Sequence, residues 1–473
     1  MNDMIYKPLE EYSDEIRHYW PEGMYFWDSW YLPHEGKVHV FHLQVKRPGS
    51  TRLDEDNCSI GHAVSDDLLH WTELPVALRK GPEGSYDCGP LFTGCTVWHQ
   101  GTYYLFYTGN GHPPWVETIC LATSKDGINF TKYPGNPIIK ADGTMWKVED
   151  VRDIIIRPDG NGWMGIVVMR LKDKDLYDSI CWVLYRSKDL IHWEMYRIVF
   201  AMPGRFNIFE VPDFFPLGDK WYVIAHNGDG SGSWSDPGIY MGTIVGEADS
   251  PEGPFVEVKD NLLHKSNDYQ GFSARTLEWN DERLMIYGRN EGIGNSVVFG
   301  RMSWPIKLVP RPGGGLLPMY WHGCDRAFKA SQKFESITLR SEKGQYIHDL
   351  GIHTVDRSFM AVAMIELGSA KSAGLAFSWI GLSEHDGPPS FALLDSEVGA
   401  VVVTYPTSQQ KIQWHIKPGG SYRIRLIVVQ EMVELYVDEE LVINCFMGVL
   451  TDGGIGLFVA DGEATFSEIE YWS

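Results

Sequence analysis

Polar and apolar residues alternate with a period of two over short stretches of this chain. Lys37-Val38-His39-Val40-Phe41-His42-Leu43, Thr102-Tyr103-Tyr104-Leu105-Phe106-Tyr107 and Lys220-Trp221-Tyr222-Val223-Ile224-Ala225 are examples, each flanked by turn-forming residues. Successive side chains on a strand point to opposite faces, so this pattern predicts strands, and few helices are expected. A longer period overlies the short one. Ser65-Asp66-Asp67-Leu68-Leu69-His70-Trp71, Ser124-Lys125-Asp126-Gly127-Ile128-Asn129-Phe130, Ser187-Lys188-Asp189-Leu190-Ile191-His192-Trp193 and a looser Ser250-Pro251-Glu252-Gly253-Pro254-Phe255 share one arrangement of Ser, acid and aromatic. Their serines are 59, 63 and 63 residues apart. A unit of about sixty residues holding several strands is too long for a solenoid rung and suits a propeller blade.

Inner strands are expected to begin near Asp28, Asp87, Asp153, Glu210 and Phe272, giving an all-β fold with a five-bladed β-propeller over residues 1–312. Pro310-Arg311-Pro312-Gly313-Gly314-Gly315 opens the expected linker, 313–320. Beyond it, Phe359-Met360-Ala361-Val362-Ala363-Met364-Ile365 and Arg423-Ile424-Arg425-Leu426-Ile427-Val428-Val429 are short strands between Gly-rich or acidic turns, which predicts a β-sandwich over 321–473.

Composition narrows the function. Of 473 residues, 44% are hydrophobic and 22% charged, which excludes a disordered, collagenous or coiled-coil chain. No apolar run approaches the roughly 20 residues that cross a bilayer, so no membrane partner is expected. The acidic start lacks a basic-then-apolar secretory pattern, which makes the cytoplasm the expected location. Lys plus Arg number 41 against 63 Asp plus Glu, a net charge of −22 that repels phosphate backbones and argues against a nucleic-acid partner. Seven cysteines without a C-x-x-C pair suit reduced, mostly buried thiols. Aromatics reach 13%; most serve β cores, and flat rings also stack on sugars.

A propeller gathers the residues of its inner strands around one axis. Asp28 in Tyr25-Phe26-Trp27-Asp28-Ser29-Trp30, Asp153 in Val151-Arg152-Asp153-Ile154-Ile155-Ile156, and Glu210 in Ile208-Phe209-Glu210-Val211-Pro212-Asp213 each lie in apolar surroundings, which is costly for a charge that is neither paired nor used. Carboxylates crowded into one funnel raise one another's pKa. If the guanidinium of Arg152 reaches the site it holds Asp153 ionised, although neighbours on a strand point to opposite faces. Asp28 and Glu210 then suit glycosidic chemistry, one attacking or activating water and the other protonating the leaving oxygen. The expected partner is a small carbohydrate, and the chemistry needs no metal and no organic cofactor.

These segments, with Gly61-His62-Ala63-Val64-Ser65-Asp66-Asp67-Leu68-Leu69-His70-Trp71 and Phe209-Glu210-Val211-Pro212-Asp213-Phe214-Phe215, resemble the β-fructofuranosidases of glycoside hydrolase family 32. The resemblance covers most of the chain. It implies a five-bladed propeller with an appended sandwich, retaining hydrolysis through a fructosyl-enzyme, and sucrose or a fructo-oligosaccharide as substrate. By it Asp28 matches the nucleophile, Asp153 the transition-state stabiliser and Glu210 the acid/base. Gln44 matches a strand-end glutamine near the fructosyl site, Phe92-Thr93 a Phe-Ser pair that touches the sugar, and Tyr269 with Phe272 a segment whose aromatic borders the pocket. Trp27 and Arg152 complete the candidate substrate-binding set.

The chain departs from the family at Trp27 and Ser29-Trp30 around the nucleophile, at Ile154 after Asp153 and at Val211 after Glu210. Trp27-Asp28-Ser29-Trp30 is similar to the nucleophile motif of family 68 levansucrases, which keeps a fructosyltransferase open. Also open are an inverting family 43-type arabinofuranosidase or xylosidase and a non-catalytic carbohydrate-binding propeller. His62, His70 and His192 are expected to cap blade edges in turns, and Asp213 to stabilise a turn or blade.

Overall fold

The computed structural model describes residues 16–46, 58–111, 114–201, 203, 208–228, 241–266, 271–290, 299–354, 358–379, 389–405, 408–430, 432–446 and 453–473. Strands dominate them, with one four-residue helix at Leu176–Ser179 and one 3-10 turn at His322–Ala327 among the described residues. The chain divides into two compact units, Tyr19–Leu263 with Gly271–Leu317, and Pro318–Ser473 with the segments ending at His18 and starting at His264.

In the first unit the strands form successive antiparallel sheets in a propeller-like arrangement. One sheet comprises β1 (Met24–His34), β2 (Lys37–Lys46), β3 (Ser59–Ser65) and β4 (Thr72–Arg79). The next comprises β5 (Phe92–His99), β6 (Thr102–Gly111), β7 (Val116–Ser124) and β8 (Thr131–Lys132). A third holds β9 (Trp146–Asp159), β10 (Gly162–Leu171), β11 (Ile180–Ser187) and β12 (Trp193–Ala201), and a fourth β13 (Ile208–Leu217), β14 (Lys220–Gly228), β15 (Met241–Ala248) and β16 (Val256–Ser266). Against the five expected, four separate four-stranded sheets are present among the described residues. The strands after them differ: β17 (Gly271–Trp279) pairs with β18 (Glu282–Asn290), and β18 is shared by β19 (Phe299–Met302) and β20 (Ile306–Pro310).

First and second strands of a sheet meet through two-residue turns with left-handed backbone, Glu35-Gly36, Gln100-Gly101 and Asn280-Asp281, the geometry that matches strand twist in tight hairpins. The inner strand of the second sheet starts at Phe92, not near Asp87. Asp87 lies in the preceding loop, buried, where Tyr107 Oη donates to it at 2.9 Å and Lys132 pairs with it.

The repeated Ser–acid–aromatic segments are the turns between third and fourth strands. The amides of Leu68, Gly127 and Leu190 donate to the hydroxyls of Ser65, Ser124 and Ser187 at 2.8, 3.0 and 2.9 Å. Asp67, Asp126 and Asp189 each accept the amides two and three residues on, and hydrogen bonds from the side chains of His70, Asn129 and His192 together with these amides lower their pKa values. Trp71 and Trp193 close the turns by donating to the carbonyls of Leu68 and Leu190 at 3.3 Å. His70 and His192 belong to these turns. His62 does not; it sits in β3, with its ring stacked on Phe41 at 4.2 Å.

The second unit is sandwich-like. Its long strand Gly453–Trp472 pairs with Ser372–Trp379 along its first part and with Phe359–Glu366 along its second, which ties two sheet regions into one continuous ladder. Leu375, Phe377, Leu426, Leu457 and Phe466 belong to its buried apolar cluster. The expected linker 313–320 is only partly a loop. Gly313–Gly315 turn with φ between 86° and 114°, but Leu316–Tyr320 forms a strand because Leu316 and Pro318 alternate inward in a period-two pattern.

Candidate active site

Each inner strand of the first unit breaks its ladder at an equivalent place. The register slips between Phe26 and Ser29 in β1, Phe92 and Gly94 in β5, Arg152 and Ile155 in β9, Glu210 and Asp213 in β13, and Phe272 and Arg275 in β17. A bulge adds a residue to one strand and re-aims its side chains. The bulged stretches contain Asp28, Thr93, Asp153, Val211 and Ser273. Asp153, Val211 and Ser273 adopt φ of 60°, 50° and 50°. For residues with a Cβ such backbone costs about 1–3 kcal/mol each and persists only where surrounding structure enforces it. At Gly94 an added Cβ would stand 1.9 Å from the Phe106 carbonyl, so the residue after Thr93 must lack one.

The bulges bring groups far apart in sequence together. Thr93 Oγ1 donates to Asp28 Oδ2 at 2.5 Å, and the Ser273 hydroxyl stands beside the same carboxyl. Burial pushes Asp28 up to about 6 despite these two hydroxyls, with the charge of Asp153 adding to the rise and Arg275 opposing it. Asp153 accepts the Val211 amide on Oδ2 at 3.0 Å, while its own amide donates to Thr108 Oγ1 at 3.1 Å. Burial and then the neighbouring Glu210 raise Asp153 to about 6, against Arg152 and the Val211 hydrogen bond. Asp28 and Asp153 are 8% and 2% exposed, whereas the Glu210 side chain is 30% exposed. Glu210 is therefore the solvent-facing member of the three, and Asp28 and Asp153 are buried.

Arg152 reaches this site by its own route. Its Nη1 donates to both oxygens of Glu117 at 3.1 and 2.9 Å, its Nη2 donates to Asp150 at 2.9 Å, and its Nε lies 3.8 Å from Glu210 Oε2. Burial disfavours the cation, but Glu117, Asp150, Glu210 and Asp153 together hold its pKa above the usual value. No hydrogen bond joins Arg152 to Asp153 among the described residues; the coupling between them runs through space.

Other candidates divide. The rings of Trp27 and Phe92, next in sequence to Asp28 and Thr93, meet edge to face at 6.1 Å, and Phe92 lies 5.9 Å from Trp115. Gln44 donates to Ser59 at 3.1 Å and lines a cavity of about 340 Å³ with Tyr19, Glu22, His42 and Glu73. Phe272 is 1% exposed and its ring lies over Gly288, whose added Cβ would stand 2.3 Å from it; it is core, not pocket wall. Tyr269 lies outside the described residues. Asp213 is fully buried, accepting Arg157 at 2.6 Å and the amide and hydroxyl of Thr276 at 2.6 and 2.8 Å, so it joins β9, β13 and β17 beneath the site.

Sequence reading missed Glu117, Asp150, Thr108, Ser273 and Arg275. Glu117 carried a signal, an isolated acid in the apolar strand Val116-Glu117-Thr118-Ile119-Cys120-Leu121, of the kind that marked Asp153. Ser273 and Thr108 carried none, because only the bulges decide which hydroxyl meets the Asp28 carboxyl or the Asp153 amide.

Residues 21–288 match the glycosyl hydrolases family 32 N-terminal domain. A sucrose-6-phosphate hydrolase from Zymomonas mobilis is 24% identical over 451 residues, covering 87% of this chain and 83% of that protein. A raffinose invertase from Escherichia coli is 33% identical over 178 residues, covering 36% and 35%. In fold, a β-fructofuranosidase from Bombyx mori superposes with a TM-score of 0.73 at 22% identity, covering 98% of this chain and 95% of that one. Fructan 1-exohydrolase IIa from Cichorium intybus does so with 0.75 at 16% identity, covering 97% and 96%.

Proposed function

The chain belongs to glycosyl hydrolase family 32, and from that premise we propose that it hydrolyses a β-fructofuranoside, sucrose or a fructo-oligosaccharide, with retention of configuration. Asp28 is the nucleophile, Glu210 the acid/base and Asp153 the stabiliser of the transition state. We count β17–β20 as a fifth blade and assign catalysis to the propeller, which we take to span residues 1–312, with the sandwich as a separate domain from 321.

The observation that carries this reading is that buried Asp153 interacts electrostatically with both buried Asp28 and the partly exposed Glu210, three acids brought in by slips of three inner-strand ladders. Asp28 attacks the anomeric carbon in its ionised form, and the Thr93 and Ser273 hydroxyls favour that form and fix the carboxylate plane. Glu210, the most exposed of the three, protonates the departing oxygen as the bond to it breaks. It then takes a proton from the water that releases the sugar from Asp28. Asp153 is locked by the Val211 amide and by its own strained backbone, so it offers a fixed acceptor to ring hydroxyls as oxocarbenium character grows. Preorganisation of this kind leaves little to rearrange during reaction.

The test is a product screen on sucrose, inulin, levan and aryl furanosides, with the anomeric configuration of the first-formed sugar read by NMR. Fructose released as the β-anomer supports the proposal. Inverted product or an arabinose- or xylose-specific profile contradicts it, and oligosaccharides as the main product of concentrated sucrose would reassign the chain to fructosyl transfer.

A further inference from the structure

Arg152 faces more negative charge than one guanidinium can neutralise. Glu117, 2% exposed at the start of β7, holds Nη1 with both oxygens, and Asp150 holds Nη2 while also accepting Arg170 Nε at 3.1 Å. The one edge left over is Nε, which makes no hydrogen bond among the described residues and lies 3.8 Å from Glu210 Oε2. Glu117 is itself fixed by the Val151 amide at 3.2 Å and Trp115 Nε1 at 3.4 Å, opposite Asn110 of β6.

We propose that Glu117 is a positioning residue for the acid/base step: it clamps and neutralises Arg152 so that Glu210 keeps its proton until the leaving oxygen needs it. This rests on the assignment of Glu210 as general acid. A bare guanidinium 3.8 Å away favours the carboxylate form of Glu210, the wrong form for protonating a leaving group. With Glu117 and Asp150 on the same cation that pull is offset. Arg152 and Asp153 face Glu210, and across the ladder in β14 lies His226, which burial lowers to about 4 and keeps neutral. The charges facing Glu117 are Arg152, Asp150 and Asp153. Burial, partly opposed by Arg152, raises Glu117 to about 7, so its charge acts on the alkaline side of the pH profile.

The test compares kcat/KM for sucrose and for an aryl β-fructofuranoside, whose leaving group needs little protonation. In Glu117→Gln the alkaline limb for sucrose is expected about one pH unit lower, a roughly tenfold loss above it. The aryl substrate should lose less than about threefold. Glu117→Asp, which restores the charge, should return the limb to its wild-type position. Asp150→Asn removes the other carboxylate from the same guanidinium and should move the limb in the same direction, which keeps the test open if Glu117→Gln does not fold. Equal losses on both substrates with an unmoved limb, in either variant, overturn the proposal. Glu210→Gln is the control for the underlying reading. If it spares sucrose turnover, the acid assignment is at fault, whatever the Glu117 variants show.

Discussion

The two units place their irregularities differently. In the C-terminal unit the core cluster is apolar, and left-handed backbone is scattered over hairpin turns, as at Asp438 and Glu439, and over the strand positions Ser378, Asp461 and Glu468. In the N-terminal unit Asp28, Asp153, Asp213 and Arg275 are all buried, and left-handed backbone occurs inside strands, at Asp153, Val211 and Ser273. Neither unit is free of such departures. In the N-terminal unit they recur where the inner-strand ladders slip, at the bulges that hold the candidate carboxylates Asp28 and Asp153. Desolvation of Asp28 shows the scale, since a shift from 3.8 to about 6 corresponds to roughly 3 kcal/mol of lost stability at neutral pH.

That contrast can be broken by substitution. Removing Asp28 or Glu210 with alanine should lower kcat/KM by roughly 10⁴-fold while leaving the fold intact, measured as turnover beside thermal melting. Substantial turnover in Asp28→Ala would remove the basis for reading the bulges as functional. Asp213→Ala strands Arg157 and Thr276 in the interior and should destabilise by about 3–5 kcal/mol, with activity falling as well because β9, β13 and β17 lose their common anchor. Leu375→Ala, in the other core, should cost about 2–5 kcal/mol in a denaturant midpoint yet leave kcat/KM of the folded protein unchanged.

Thr93→Val sharpens the picture on a smaller scale. It removes the hydroxyl that lowers Asp28, so the carboxyl rises further above about 6. A carboxylate raised in this way is lost to protonation as pH falls, so the acid limb expected near 6 for the wild type should move upward in the variant. A roughly tenfold loss at neutral pH is expected. The smallest effect belongs to the repeat turns. Ser124→Ala leaves the Gly127 amide without its partner and should cost about 1 kcal/mol with no change in the pH profile.

Much of this was legible in the chain itself. Period-two alternation located strands in both units, and the Ser–acid–aromatic echo marked the turns because the same hydrogen bonds recur there. Asp28, Asp153 and Glu210 were visible as acids in apolar company. Less legible was everything set by register. Alternation assumes an unbroken strand, so it could not foretell that a bulge would carry Arg152 to Glu117 and Asp150, or would seat Ser273 against Asp28. Phe272 illustrates the same failure, because its ring turned into the core at the position where a pocket aromatic was expected. Asp87 looked like an inner-strand acid but is a loop anchor for Lys132 and Tyr107.

Everything turns on Asp28 bonding covalently to the sugar while Glu210 controls proton traffic. Glu210→Gln slows release of the intermediate, so brief incubation with an activated aryl β-fructofuranoside, followed by acid quench and peptide mass spectrometry, reads that bond directly. One anhydrofructose unit on the peptide that carries Asp28, absent from Asp28→Ala, is the expected result. Label on another carboxylate, or turnover of the aryl substrate with inverted product and no label on any peptide, would contradict it.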